Sequence, residues 1–550
     1  MIHSQRRFSN HCAERQRIRS AVPGVDLTRS EHYALECRPS GKTAVSGGSL
    51  EQDFNVGGAY LKSASQRPSE PAILVEDGAI SHGELASASI SMARHMRRLG
   101  VGWNSTVALR SDDLVVVLAG LFATALLGAR WINGDANTDL MRRAGVTLAL
   151  DTDPDPATQL SGSVLVDARW GQPPKGAQTT EPPVFPGYGS PDDIWMIGKT
   201  SGTTGTPKLV GLSPRVVSLR NQENFRRFAR PGVRIAGLFP FGTGPFLSRA
   251  ISCLVAGGQI VTSIDPDRWV AQKVDLVFGS PRQIEAVLGA RVLPDRLPLV
   301  QLSGGTAPES QVRHLLRSFE VVANGYGSTE GFNCLAVNHT LAEDGTIRRQ
   351  TVVNNALVQI VDGEDRPLPV GAEGIVRISN AHLASGYIDA PAASAAAFRD
   401  GWFYPGDLGR WTEHGDFEVT GRVNDQFNLG GVKLNAVLLD HTMQSVAGIE
   451  DAICFMLPRE GQPDRLSAMV AISPEYAAPD VLGEVRIALM RLAGKPAVPE
   501  RFLQVDRPPR TPTGKPDRQA CVAMVQAARA RRRETVALGF HPGRTTDWTT

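Results

Sequence analysis

Apolar and polar positions alternate in blocks along most of the chain. Residues 72–75 (AILV) form an apolar run of strand length, residues 84–98 repeat apolar positions at helical spacing, and residues 106–109 are apolar again. An uncharged run at 114–129 follows Asp112 and Asp113 and holds the small residues Ala119, Gly120, Ala123 and Ala125. It is shorter than the roughly 20 residues that cross a bilayer, so it reads as a buried helix packed closely on a sheet. Runs at 146–150 and 164–166 continue the alternation, and 194–197, 235–239, 259–262, 276–279, 299–303 and 321–323 resume it. Strands separated by helices need crossover connections, which predicts an α/β fold built on mainly parallel sheets with both faces covered.

Two stretches depart from that pattern. Residues 357–419 carry short runs between glycines, among them 375–378 and 417–420, and predict a small antiparallel or β-barrel-like subdomain. From Gly421 a Gly-rich loop leads into strands near 452–456 and 467–471 and a helix near 479–492. Residues 1–54, rich in Arg and Ser without an apolar signal core, fit a targeting segment, a misassigned start or, as expected here, a flexible extension. The predicted division is that extension, a large domain over 55–423, a small mobile α+β domain over 424–526 and a polar tail over 527–550.

Composition narrows the function classes. With 58 basic against 56 acidic residues the net charge is +2, so no global field draws the chain to nucleic acid or an anionic membrane. Arg531, Arg532 and Arg533 read as a solvated helix end. The cysteines at 12, 37, 253, 334, 454 and 521 form no CxxC pair, which fits a reducing, cytoplasmic setting and argues against a disulfide framework or zinc site. At 550 residues, more than one core is expected.

The chemistry concentrates in TSGTTGTPK, residues 200–208, which follows the apolar run at 194–197. A strand opening into Gly202 and Gly205 turns backbone amides toward an anion. The hydroxyls of Thr200, Ser201, Thr203 and Thr204 and the charge of Lys208 add donors. The Lys lacks the neighbours of a GxxxxGK[ST] loop, so those mechanics do not transfer. Alone, the stretch is equally a Ser/Thr/Gly-rich surface loop.

Five further segments follow in order: SGGTAPE (303–309), NGYGSTE (324–330), GWFYPGDLGRW (401–411), GRVNDQFNLGGVK (421–433) and PRTPTGKPDR (509–518). Together the six resemble the core motifs of the adenylate-forming superfamily, which holds acyl- and aryl-CoA synthetases, peptide-synthetase adenylation domains and luciferase-like enzymes. The resemblance spans about 55–525. It implies attack of a carboxylate on the α-phosphate of ATP, giving an acyl-adenylate and pyrophosphate, then transfer to a thiol. It assigns residues 200–208 to the β- and γ-phosphates, Asn324 and Tyr326 to adenine with Gly325 and Gly327 beside them, and Gly305, Thr306 and Ala307 to the other side of the base. Thr329 takes the α-phosphate, Glu330 Mg²⁺, and Asp407 the ribose with Arg422 nearby. Lys515 reaches in from the small domain, Asn424 is the hinge, and Gly430, Gly431 and Lys433 face the acceptor thiol.

The same resemblance lines the acid pocket with Phe239, Phe241, Thr243, Phe246, Gly304 and Asn333. No Asp or Glu lies between Phe239 and Ile264, which disfavours an α-amino acid, and the phenylalanines suggest an apolar or weakly polar acid. The expected thiol is coenzyme A. The alternatives are the phosphopantetheine of an acyl carrier protein and, from another class, a nucleotide-binding protein that has lost catalysis. A monomer or homodimer is expected.

Overall fold

The uncharged run is a helix, Leu114–Leu127, and it anchors the fold. The structure is a computed structural model that describes residues 54–153, 155, 159–167, 170, 185, 187–200, 207–423, 426–429, 432–459, 462–510, 516–537 and 547–548. Asp113 starts the helix by accepting from the Val115 and Val116 amides, and Gly128 ends it in the left-handed region at φ 68°. All but Val115 and Val116 are buried, as expected for a helix apolar on every side. A Cβ on Gly120 would stand 2.4 Å from Leu109 Cδ2, so the missing side chain is what lets helix and sheet approach. The helix expected at 84–98 is His82–Arg98, opened two residues earlier by a capping box between Ser81 and Glu84.

Two sheets flank this layer. The seven-stranded one runs Tyr387–Ile388, Lys208–Leu212, Met196–Thr200, Arg130–Asn133, Thr106–Arg110, Leu148–Asp151 and Val164–Leu165, parallel after its first two antiparallel pairings. The nine-stranded one has a parallel centre, Phe319–Ser328, Leu297–Ser303, Leu276–Gly279, Arg234–Gly237, Gln259–Val261 and Pro71–Val75, with antiparallel strands at both edges. One continuous core, including Tyr60, Phe122, Trp195, Phe246 and Phe278, joins the two sheets through the helices between them. The α/β class with parallel sheets is therefore as predicted.

The strand expected at 321–323 is instead Phe319–Ser328 and carries the whole NGYG segment. Asn and Gly are poor strand formers, yet parallel pairing with Leu297–Ser303 and antiparallel pairing with Phe332–Leu341 hold the segment extended. Residues 357–422 hold a six-stranded sheet paired antiparallel throughout. Further on, Ile449–Arg459, Gln462–Ile472, Arg501–Gln504 and Asp547–Trp548 form a separate sheet over which the helices Ala436–Gln444 and Ala478–Ala493 build their own core. Asn435 starts the first of those helices and donates its side-chain amide back to Thr420 O. A Cβ on Gly421 would collide with that amide. No helix of the described residues is long and apolar enough to cross a membrane.

Candidate active site

Two strand ends from different sheets meet. Met196–Thr200 pairs antiparallel with Lys208–Leu212, with Thr200 opposite Lys208 in register. Phe319–Ser328 ends beside it, because a Cβ on Gly198 would stand 2.6 Å from Thr329 Cγ2. Crevices at the carboxyl ends of parallel strands are where open α/β sheets take ligands. Ser201, Gly202, Thr203, Thr204 and Gly205 lie outside the described residues, as do Asn424, Gly430, Gly431 and Lys515. Lys433 lies in the strand Val432–Asn435.

Glu330 is buried at this junction, with its Oε1 accepting from Tyr387 Oη at 2.9 Å. Tyr387 lies on the strand paired to Lys208–Leu212, and Lys208 Nζ stands 4.7 Å from its ring centroid. Burial and the nearby Glu330 carboxylate raise the Tyr387 hydroxyl above its ordinary pKa, so it stays a donor. Arg220 fixes the turn from below, donating to Thr329 O at 3.0 Å, Glu330 O at 3.2 Å and His382 O at 2.8 Å. Burial lowers Arg220 to about 9, with Glu330 opposing.

Asp407 and Arg422 face each other across a hairpin, with Arg422 Nε 3.0 Å from Asp407 Oδ1. Tyr326 Oη donates to Asp407 Oδ2 at 2.7 Å, and its ring packs against Phe417 with centroids 5.1 Å apart. Gly325 pairs in register with Ser303, and Asn324 with Leu302, bringing that strand beside the segment that begins Gly304, Gly305, Thr306 and Ala307. Gly304 takes φ +86°, and a Cβ on Gly327 would strike Phe332 O, so both positions require glycine.

The expected pocket residues divide. Phe239 and Phe241 are partly exposed, whereas Phe246 is 1% exposed and belongs to the core behind Phe241. Thr243 spends its hydroxyl locally, donating to Pro240 O at 2.7 Å. Asn333 sits in a polar chain that sequence reading missed. Assigned with its amide oxygen turned toward the surrounding donors, it accepts from Gln301 Nε2 at 3.0 Å and from Arg227 Nη1 at 2.9 Å. Gln301 Oε1 in turn accepts from Arg249 Nε at 2.9 Å. The one available signal was the helix Pro214–Arg227, whose buried positions include Arg220, Asn221, Glu223 and Asn224 where an amphipathic helix would place apolar residues.

The profile of the AMP-binding enzyme family matches residues 61–388. The chain belongs to the AMP-binding enzyme family. Among curated relatives, this AMP-binding enzyme is 27% identical over 496 residues to phosphinothricin tripeptide synthetase PhsC of Streptomyces viridochromogenes, covering 84% of this chain and 44% of that protein. It is 25% identical over 526 residues to phenyloxazoline synthase MbtB of a Mycobacterium species, covering 88% and 43%. The chain thus spans less than half the length of these relatives. Among solved structures, it superposes with a TM-score of 0.71 on O-succinylbenzoate coenzyme A synthetase MenE from Bacillus subtilis in complex with AMP, at 19% identity over 84% of this chain and 97% of that one. Amide bond synthetase McbA from Marinactinospora thermotolerans gives 0.69 at 20% identity, covering 86% and 99%. These likenesses show a shared fold.

Proposed function

We propose that this AMP-binding enzyme activates a carboxylic acid with ATP, releasing pyrophosphate, and passes the acyl group to a thiol. The observation that carries the reading is the meeting of the strand ends at Thr200 and Ser328, with Lys208 over the Tyr387 ring and Tyr387 bonded to the buried Glu330 carboxylate. In the first step a carboxylate oxygen bonds the α-phosphorus and the bond to the pyrophosphate oxygen breaks. Bringing two anions together requires fixed positive charge and donors where charge develops. Lys208 supplies one charge, Lys515 a second, and the Thr329 hydroxyl a donor for the α-phosphate.

Mg²⁺ fits this site. Among the described residues no group of three or more His, Cys, Asp or Glu is built to hold a metal ion. Glu330 presents one carboxylate whose Oε1 is occupied by Tyr387, leaving Oε2 without a described hydrogen bond. One carboxylate completed by substrate phosphates is the usual mode for this ion, which screens the phosphate charge. Asp407, which holds Arg422 and Tyr326, is the carboxylate that would meet the ribose hydroxyls. Adenine lies on Tyr326, near the Asn324 amide.

For the acceptor, coenzyme A fits the likeness to MenE, and a carrier protein's phosphopantetheine fits the peptide-synthetase relatives. Residues 424–526 swing about Asn424 to exchange Lys515 for the Gly430 and Gly431 face, with Lys433 a point charge for a phosphate. The test is carboxylate-dependent exchange of labelled pyrophosphate into ATP across fatty, aryl, small aliphatic and amino acids. Exchange with one class is expected. Folded protein that binds ATP and exchanges with none overturns the reading in favour of a noncatalytic nucleotide binder. The same acid, offered with coenzyme A or a pantetheinylated carrier, then identifies the thiol.

A further inference from the structure

Three arginines are packed behind the acid side of the site, and they are held in two different ways. Arg220 donates only to main-chain carbonyls, of His382, Thr329 and Glu330. That guanidinium staples a turn. Arg249 is 8% exposed and donates to Gln301 Oε1 at 2.9 Å, Pro245 O at 2.7 Å and Ser303 Oγ at 3.2 Å. Its guanidinium carbon stands 4.9 Å from the Phe278 ring centroid. Arg227 reaches the same chain through Asn333. The result is a relay of Arg249, Gln301, Asn333 and Arg227 in which two cations are joined by two neutral amides.

Neither cation is ion-paired among the described residues. A guanidinium has five N–H donors, and three of Arg249's and two of Arg227's meet described acceptors. Glu223, the carboxylate that acts on Arg227, is engaged by Arg226 at 3.3 Å. Burying like charges together without an anion is costly, and truncated charge pairs lose stability for that reason. Burial, then the charge of Arg227, lowers Arg249 to about 9, still above neutral pH, and burial lowers Arg227 too, with Glu223 opposing. Asn333 is also the residue the sequence assigns to the acid pocket, and Ser303 immediately precedes Gly304 of the same pocket.

We infer that the acid activated here carries a second acidic group, a distal carboxylate, held by Arg249 and Arg227. This deepens the carboxylate-activating reading and rests on it. It replaces the expectation of an apolar or weakly polar acid, whose basis is reduced by Phe246 lying in the core and Thr243 being bonded to Pro240. The distal anion supplies the missing counter-charge, and the Gln301 and Asn333 amides set the two guanidiniums for charge-assisted bonds to it.

The test offers chain-matched pairs, hexanoate against adipate and phenylacetate against its para-carboxylate, in pyrophosphate exchange, and follows the melting temperature with each acid in the absence of ATP. The diacid of at least one pair is expected to show a KM at least about tenfold lower than its monoacid, the scale of one charged hydrogen bond. Arg249→Gln and Arg227→Gln are each expected to shrink that ratio about tenfold, whatever happens to the overall rate. Monoacids matching or beating diacids in both pairs, or a ratio that neither variant moves, overturns the inference. If no acid supports exchange, the functional reading fails separately, and melting decides the anion site. A diacid-specific rise lost in the variants supports it, and no such rise overturns it. If Arg249→Gln does not fold, Arg227→Gln carries the test alone, and Arg249→Lys, which keeps the charge, is expected to retain most of the diacid preference.

Discussion

The proposed nucleotide side and the proposed acid side of the site are built differently. On the nucleotide side, Tyr326, Asp407 and Arg422 bond each other across strands, and Glu330 bonds Tyr387, so each carboxylate already has a donor. On the acid side, Arg249 and Arg227 meet only neutral oxygens among the described residues. A site that takes one ligand everywhere it occurs keeps its charges balanced, whereas a site that reads a variable ligand leaves the balance to that ligand. On the proposed reading, the contrast puts the choice of acid on the acid side and the shared ATP chemistry on the nucleotide side.

The sharpest way to break the contrast is to remove the one residue proposed to touch both sides. Lys515→Ala is expected to slow adenylation by about 10² or more, the cost of one transition-state donor, while thioester formation from supplied acyl-adenylate survives. Equal loss of both half-reactions would show that the variant damages the site as a whole. The segment before Lys515 is well tethered, with Arg510 bonding Asp451 on the Ile449–Arg459 strand at 2.7 Å through Nε. Beyond it, Arg518 stands 2.8 Å from Asp440 on the helix Ala436–Gln444. Arg510 and Arg518, which flank residues 511–515, are thus both tied to residues 436–459.

The two sides also differed in how far the sequence disclosed them. The residues proposed for the nucleotide lie in short contiguous segments, so the resemblance named Asn324, Tyr326, Thr329 and Glu330 together and placed Asp407 beside Gly406. Their partners could not be named, because Tyr387 reaches Glu330 only through the pairing of a two-residue strand with Lys208–Leu212. The acid-side relay draws on Arg227, Arg249, Gln301 and Asn333, one from each of two helices and two strands, and no local spacing brings those positions together. The parallel sheets were legible because apolar blocks repeat. The long strand through NGYG was not, because its extension is imposed from both neighbours.

The junction between the sides should be the most acid-sensitive part of the fold. His382 is 3% exposed beside Arg220 and Phe332, and burial first, then Arg220 and Arg226, lowers its pKa from 6.5 to about 4. A depressed folded-state value means the stabilisation is complete above pH about 6.5 and is lost as pH falls toward 4. The wild-type protein is expected to lose about 3 kcal/mol more unfolding free energy across that window than His382→Phe, as denaturant titrations at each pH would measure. Parallel pH profiles would show that His382 does not titrate with unfolding. Separate pyrophosphate-exchange titrations then ask whether the two sides are independent. Asp407→Asn removes the charge shared by Tyr326 and Arg422 and is expected to raise the KM for ATP about ten- to thirtyfold while moving that for the acid less than about twofold. A matching rise for both substrates would merge the two sides into one.

The smallest expected effect isolates a single hydroxyl. Tyr387→Phe keeps the ring that lies under Lys208 and packs edge-on against Phe398 at 5.6 Å, so the cation and the wall stay in place. It removes only the donor to Glu330 Oε1. A buried carboxylate that loses its hydrogen bond is left less fixed in orientation, by about 1 to 1.5 kcal/mol on the scale of one such bond, so it presents Oε2 to the ion less often. The expected outcome is a roughly five- to twelvefold rise in the Mg²⁺ concentration that half-saturates exchange, with the KM for the acid unchanged. An unchanged Mg²⁺ midpoint would assign Tyr387 to packing alone. A shift in the acid KM instead would mean that the Glu330 turn, through Arg220 on the same helix as Arg227, communicates with the arginine relay, and the two sides would have to be treated as coupled.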